Sequence, residues 1–175
     1  YVTKVLGETE DKAGIYQGIM MIMTIPMFVA VFFLSKKFNK KTLIGAAMLL
    51  LTAMTPLLYA TKFIPESAMR MYAIGVFAIL AAPISVLLVM ANAIIADIVD
   101  LDETRTGRRR EAMYFGMQGL VTKSAIAISS VVGTQLLARF GMSAANPEGI
   151  LLTGPFCAFF TFIGFLSILA YPLKN

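Results

Sequence analysis

The chain has 175 residues, 58% of them hydrophobic and 14% charged, with a mean hydropathy of +0.79. A soluble globular domain carries about 25% charged and 45–50% apolar residues, so a soluble fold is excluded and an all-α membrane protein is predicted. His is absent, and the single Cys, Cys157, lies in an apolar run. These features give no support to zinc chemistry or nucleophilic catalysis. The bases follow membrane topology, so no nucleic-acid partner is expected.

Five stretches are long and apolar enough to cross a bilayer as helices, which takes about 20 residues. They are residues 15–34, 42–61, 71–96, 112–138 and 150–173. Residues 1–14 are interpreted as the outer end of an earlier helix followed by an external loop. The chain starts at Tyr1 and no signal-peptide pattern precedes the first span, so we expect an internal or C-terminal part of a longer protein.

Lys and Arg predict the orientation of the spans, because they are enriched in short cytoplasmic loops. Nine bases fall on one side of the predicted bilayer and five on the other. The richer side, predicted to be cytoplasmic, holds Lys36, Lys37, Lys40, Lys41, Arg105, Arg108, Arg109, Arg110 and Lys174, and the poorer side holds Lys4, Lys12, Lys62, Arg70 and Arg139. A multi-pass protein of the cytoplasmic membrane with a cytoplasmic C-terminus is expected. Five spans plus the end of another suggest one six-helix half of a two-half transporter.

The first three complete spans each contain a proline, at Pro26, Pro56 and Pro83. Proline removes a backbone donor and bends a helix. Ordinary helix curvature and a moving hinge are both compatible with these positions.

Lys123 is the one base that no connection between spans accounts for. It is the twelfth residue of the span 112–138, about 17 Å from one end and about 22 Å from the other. A Lys at this depth costs about 3 kcal/mol or more, and such residues usually face a bundle interior or a water-filled cavity. We predict a functional role. The alternative is a structural Lys paired with a buried carboxylate or with carbonyls. The other four spans contain no acid, so an anionic partner would come from the missing part of the protein, from the substrate or from another subunit.

The predicted connection 97–111 combines acids with arginines. Asp97 and Asp100 share one face at the predicted end of the third span, where the helix dipole disfavours negative charge. Gly107 permits a turn that would bring the following arginines back towards them, and Glu111 begins the next helix. We predict an ion-pair latch between arginines and carboxylates. The alternative is a solvated loop that only follows the positive-inside rule.

Residues 97–123 resemble the glycoside-pentoside-hexuronide:cation symporters, the melibiose-permease-like branch of the major facilitator superfamily. The positions that match the family's cytoplasmic loop between helices 10 and 11 are Asp97, Asp100, Glu103, Thr106, Gly107, Arg109, Arg110 and Glu111. Lys123 is in register with a Lys of helix 11, and Gln118 matches a Gln of melibiose-permease-like members. The sequence departs from the pattern at Asp102, where Gly is common, and it has no Trp to stack on a sugar ring.

The resemblance implies the C-terminal six-helix half of a twelve-helix major facilitator fold, with the five spans as helices 8–12. It implies symport of a sugar or glycoside with Na⁺ or H⁺ by alternating access. The cation would be bound mainly by the missing N-terminal half, with no metal site or cofactor in this half. Lys123 and Gln118 would lie near the substrate and coupling sites, although an ideal helix turns them about 140° apart. The cytoplasmic gate would comprise Asp97, Asp100, Glu103, Gly107, Arg109, Arg110 and Glu111.

An enzyme is the alternative from another functional class. The acids Asp97, Asp100 and Asp102 are of the kind with which a membrane-embedded prenyl- or phosphate-group transferase holds Mg²⁺. That chemistry normally needs a second acid cluster, which no other predicted cytoplasmic loop contains. A scaffold subunit without transport activity would explain the hydrophobicity but not Lys123. We therefore predict a transporter and not an enzyme.

Overall fold

The computed structural model describes residues 2–7, 9–143 and 145–170, without the side chains of Glu10, Asp11 and Glu66. Tyr1, Lys174 and the last residues of the predicted span 150–173 lie outside the described residues. The predictions made for them, including the position of the C-terminus, stay predictions.

Six helices and one 3₁₀ turn make up the described fold. They are α1 (Glu10–Lys37), α2 (Lys40–Met54), α3 (Leu57–Ala60), the 3₁₀ turn Thr61–Phe63, α4 (Glu66–Thr106), α5 (Glu111–Phe140) and α6 (Glu148–Ala170). Five helical stretches are long and apolar enough to cross a bilayer, and α2, α3 and the 3₁₀ turn together form one of them, at Lys40–Phe63. Within the described residues, the prediction of an all-helical, five-span architecture is confirmed.

α1, α4 and α5 extend beyond the predicted apolar spans at both ends. α1 starts five residues before the predicted span 15–34 and ends three residues after it. Its last turn contains Lys36 and Lys37, whose positive charges suit the negative end of the helix dipole. The Phe38 N–H closes this end by donating to the Leu34 carbonyl oxygen at 2.9 Å.

The second span is interrupted at Pro56. α2 ends at Met54, and Pro56 has no N–H with which to continue the helical hydrogen bonds. The chain resumes as the single turn of α3 and tightens into the 3₁₀ turn. The Tyr72 hydroxyl of α4 donates to the Leu57 carbonyl oxygen at 2.9 Å. A neighbouring helix thus supplies a partner for backbone beside the break, as a membrane interior requires.

α4 is the central helix of the bundle. It packs on α1 and α2, α2 packs on α6, and α5 packs mainly on α6 with little contact to α4. Along its most apolar stretch, 39% of α4 is buried, against 6% of α1 and 6% of α5. Ala73, Ala81 and Ser85 of α4 are completely buried, because small residues let membrane helices approach closely. α5, by contrast, lies open along most of its length.

α6 comes very close to the interrupted span at Gly154. A Cβ at this position would overlap the Thr55 carbonyl oxygen and lie 3.3 Å from the Leu58 Cβ. The ammonium of Lys62, in the 3₁₀ turn, also donates to a carboxylate oxygen of Glu148 at the start of α6. The packing of α6 on this region therefore depends on a residue without a side chain.

Replacing Gly154 with Ala is expected to destabilise the intact protein by about 1–3 kcal/mol, because the added methyl group forces α6 away from a backbone oxygen. The measurement is the melting temperature in detergent. Gly75→Ala in α4 is the matched control, since nothing lies within 4 Å of a Cβ at that position and Ala is the better helix former by about 1 kcal/mol. Equal melting temperatures for the two variants would contradict the close contact.

Candidate functional site

α4 carries the acids of the predicted connection 97–111 on its own final turns. The helix continues to Thr106, ten residues past the predicted end of the span 71–96. Residues 97–106 contain no Pro or Gly, and Gly107, with a φ of 68°, ends the helix in the left-handed conformation. The expectation that Asp97 and Asp100 lie at a helix C-terminus is therefore wrong. The unfavourable end of the dipole acts instead on Glu103, in the last turn.

Asp97 is paired with a lysine and not with an arginine. The Lys40 ammonium, in the first turn of α2, donates to the Asp97 carboxylate at 2.5 Å. This contact joins α2 to α4 through two residues that lie 57 positions apart in the sequence. The prediction that arginines offset both Asp97 and Asp100 is wrong for Asp97. The neighbouring Lys41 donates to the Leu169 carbonyl oxygen at 3.1 Å, so the start of α2 is tied to α4 and to the end of α6.

Arg109 lies between three carboxylates. Its guanidinium is 3.1 Å from the Glu111 carboxylate, 3.2 Å from Glu103 and 4.0 Å from Asp100. The turn at Gly107 reverses the chain, so that residues 108–110 return beside the last turns of α4. The hydrogen bond to Glu111, followed by the charges of Glu111 and Glu103, raises the pKa of Arg109 above its already high value. Arg109 therefore keeps its charge and links the end of α4 to the start of α5.

All four side chains of this cluster are exposed, with Arg109 itself 56% accessible. Exposed ion pairs contribute little to stability one at a time, because water already solvates both charges and salt screens them. Arg109 thus contacts carboxylates on both sides of the α4–α5 connection while adding little to the free energy of folding. We refer to the end of the bundle that holds Lys40, Asp97 and this cluster as the basic end.

Asp102 lies on another side of α4. Its side chain is only 14% accessible, and the nearest base is Arg110, with Nε 4.0 Å from Oδ2. Oδ2 has no hydrogen-bond partner among the described residues. An α-helix turns Asp102 about 140° away from Asp97. Within the described residues, no three acids or other ligands converge on a metal site, so the structure gives no support to the alternative Mg²⁺ cluster of Asp97, Asp100 and Asp102.

Lys123 lies about 18 Å from the start of α5 and about 26 Å from its end. It is exposed, as are all the residues from 120 to 131. No carboxylate of the described residues comes within ion-pair distance of its ammonium. Lys123 therefore stands on an open helix face near the middle of the span.

Gln118 points to α4 and not along the face of Lys123. Its amide Nε2 donates to Asn92 Oδ1 at 3.3 Å, and Asn92 Nδ2 donates to the Leu88 carbonyl oxygen at 3.1 Å. The structure thus keeps Lys123 and Gln118 on different sides of α5, as the ideal helix predicts. The partnership of Gln118 with Asn92 is not among the sequence predictions, although a carboxamide on each of two consecutive spans is a signal that could have indicated it.

A separate cavity of about 550 Å³ lies between α5 and α6, in the half of the bundle away from the basic end. Its walls are mostly apolar, and they include Ile128, Val132, Leu136, Phe156 and Phe160. The hydroxyls that line it, Ser129 and Thr153, donate to carbonyl oxygens of their own helices. This cavity suits an apolar occupant better than a sugar, which needs several hydrogen-bond partners.

Comparison with known proteins yields a family and a relative. The family described as MFS/sugar transport protein matches residues 1–173. An uncharacterized symporter of Synechocystis sp. (strain ATCC 27184 / PCC 6803 / Kazusa) is 27% identical over 124 residues, which cover 63% of this chain and 22% of the relative. The chain thus spans less than a quarter of that relative's length. No solved structure matches the chain.

The family match covers nearly the whole chain, and the five apolar helical stretches agree with it. The same helices hold the two candidate features of the site. Lys123 is exposed in the middle of α5, and the charged cluster around Arg109 lies where α4 connects to α5. The protein is a multi-pass membrane protein, and the chain belongs to the MFS/sugar transport protein family.

Proposed function

We propose that the protein moves a sugar or glycoside across the cytoplasmic membrane together with Na⁺ or H⁺, by alternating access. The observation that carries this proposal is Lys123, an exposed charge in the middle of α5 with no carboxylate partner among the described residues. Charged side chains at this depth generally mark a substrate or ion pathway. The family and the relative named as a symporter support the same class of function.

In this proposal the chain is the C-terminal half of the transporter. An N-terminal half of the same protein supplies the opposite wall of the cavity and the acids that hold the coupling cation. The apolar spans of this chain, residues 15–34, 42–61, 71–96, 112–138 and 150–173, contain no Asp or Glu. Lys123 acts on the cation site by its charge, because an ammonium and a cation compete for the same carboxylates. Sugar binding beside Lys123 thereby becomes coupled to cation binding.

The basic end is proposed to face the cytoplasm and to form this half's part of the inner gate. Lys40 and Asp97 hold α2 to α4, while Arg109 holds the end of α4 to the start of α5. These contacts make the cytoplasmic ends of the helices move as one unit. Closing the gate then needs only that this unit approaches the other half, since its internal ion pairs are already formed.

The test is uptake by the intact protein in proteoliposomes. The probes are radiolabelled methyl α-D-galactopyranoside, methyl β-D-xylopyranoside and D-glucuronate, each with an imposed gradient of Na⁺ or of H⁺. We expect at least one probe to accumulate above its outside concentration with one of the gradients, and an ionophore that dissipates that gradient to abolish accumulation. Uptake of none of the probes, or uptake that only equilibrates with or without the gradients, would contradict the proposal.

A further inference from the structure

Asn92 and Gln118 form a polar contact between α4 and α5 in the part of the bundle expected to lie in the membrane. The two helices otherwise touch little, and Gln118 Nε2 reaches Asn92 Oδ1 at 3.3 Å. Hydrogen bonds between membrane helices change equilibrium constants by about 3- to 20-fold. Such a bond is weak as a folding contact, but it is strong enough to select one orientation of a side chain.

The orientation of both amides follows from the backbone of α4. The Leu88 carbonyl oxygen can only accept a hydrogen bond, so the Asn92 group that faces it at 3.1 Å is the NH₂ group. Asn92 consequently turns its oxygen to α5. Gln118 must then face Asn92 with its own NH₂ group. The Leu88 carbonyl oxygen thus sets the orientation of Asn92, and Asn92 sets the orientation of Gln118. This leaves one of the two polar groups of the Gln118 amide available for a further hydrogen bond.

The end that remains available is Gln118 Oε1. No described group donates a hydrogen bond to it. The surroundings are open, because Asn92 is exposed and the Leu88 side chain is 54% accessible. Gln118 is therefore held as a hydrogen-bond acceptor that borders accessible space between α4 and α5.

We propose that Asn92 is a positioning residue, which holds Gln118 so that Oε1 accepts a hydrogen bond from a hydroxyl group of the transported solute. The inference rests on the proposed sugar transport. It adds a selectivity for the solute. A solute must present a hydroxyl that donates a hydrogen bond to Gln118 Oε1, and an analogue with only a hydrogen-bond acceptor at that position binds more weakly. Without Asn92, the amide of Gln118 rotates freely and offers either end.

A double-mutant cycle on solute binding tests this role in the intact protein. The probe is the glycoside that wild type accumulates best among methyl α-D-galactopyranoside and methyl β-D-xylopyranoside, and the variants are Asn92→Leu, Gln118→Leu and the double variant. We expect each single variant to raise Kd and KM about 5- to 20-fold, as for a lost hydrogen bond, with little change in kcat. The double variant should bind no worse than Gln118→Leu alone, because Asn92 acts through Gln118.

A series of monodeoxyfluoro analogues of that glycoside separates positioning from a structural role, because fluorine cannot donate. One analogue should bind wild type about 10-fold more weakly than the parent glycoside, and this discrimination should disappear in both single variants. Gln135→Leu is the matched control, since it removes the exposed amide near the other end of α5 and should leave all affinities unchanged. If Asn92→Leu does not reach the membrane, Asn92→Ser takes its place in the cycle.

The outcomes distinguish the inference from the function on which it rests. If wild type binds neither glycoside, the proposed function fails and the inference fails with it. If wild type binds, but the losses in the double variant add or the discrimination between analogues persists in Asn92→Leu, the inference alone is overturned. The inference is supported if the double variant binds no worse than Gln118→Leu and if both single variants no longer distinguish the parent glycoside from the analogue.

Discussion

Replacing Lys123 with Met is expected to reduce cation-driven accumulation about 100-fold, because couplings between ligand sites are worth 5- to 150-fold and this residue carries the charge that links them. Met has a similar length and suits a membrane helix, so insertion should be unaffected. The measurement is the accumulation ratio of the transported sugar in proteoliposomes with the cation gradient applied. Equilibrating uptake of the sugar without a gradient is expected to persist in the variant.

Two further variants make the Lys123 result specific. Lys4→Gln removes an exposed base outside the spans and should leave accumulation within about twofold of wild type, as for most surface substitutions. Lys123→Arg keeps the charge but changes its shape and hydrogen-bond geometry, so it should retain part of the coupling. Normal accumulation by Lys123→Met at normal abundance in the membrane would remove Lys123 from the mechanism.

Reversing the charge of Arg109 is expected to have the second largest effect. Arg109→Glu would bring a fourth carboxylate beside Asp100, Glu103 and Glu111, which now lie between 3.1 and 4.0 Å from the guanidinium. Repulsion should separate the start of α5 from the end of α4 and lower the uptake rate about 10-fold or more. Initial rates of sugar uptake at saturating cation measure the effect.

The adjacent arginine provides the control for Arg109. No described carboxylate pairs with the side chain of Arg108, so Arg108→Glu makes the same change of net charge without breaking a contact. It should keep the uptake rate within about twofold of wild type. Glu103→Arg added to Arg109→Glu should restore part of the rate by forming the pair in reverse. Equal losses in the two single variants and no rescue would show that only net charge matters here.

Hydropathy predicted the number and approximate position of the spans, because it measures which residues avoid water. It did not predict that α4 runs on to Thr106, since residues 97–106 are mostly polar and yet helical. A helix that leaves the bilayer keeps its own backbone hydrogen bonds and needs no apolar residues. Likewise, Pro56 indicated a bend, but it did not predict that α2 ends at Met54 and that the chain continues as the separate turn α3 from Leu57.

Local charge contacts were easier to predict than distant ones. The turn at Gly107 allowed the arginines to be expected beside the nearby acids, and Arg109 lies there. No local pattern could pair Lys40 with Asp97, because the order of helices in the bundle brings them together across 57 residues. The same holds for Asn92 and Gln118, whose contact depends on how α4 crosses α5. The roles assigned to Lys123 and Gln118 in transport stay predictions.

Because α4 is long, a small bend within it moves its ends by several ångströms. Its 41 residues extend about 60 Å, twice the roughly 30 Å of a bilayer's hydrocarbon core, and Pro83 lies near the middle. A change of about 10° in the bend at Pro83 would displace Asp97, about 21 Å away, by nearly 4 Å and Thr106 by about 6 Å. A contact of 2.5 Å between Lys40 and Asp97 cannot survive such a displacement unless α2 follows. A small change of angle deep in the membrane would thus carry the start of α2 along with the end of α4, because the ion pair between them persists only if both helices move together.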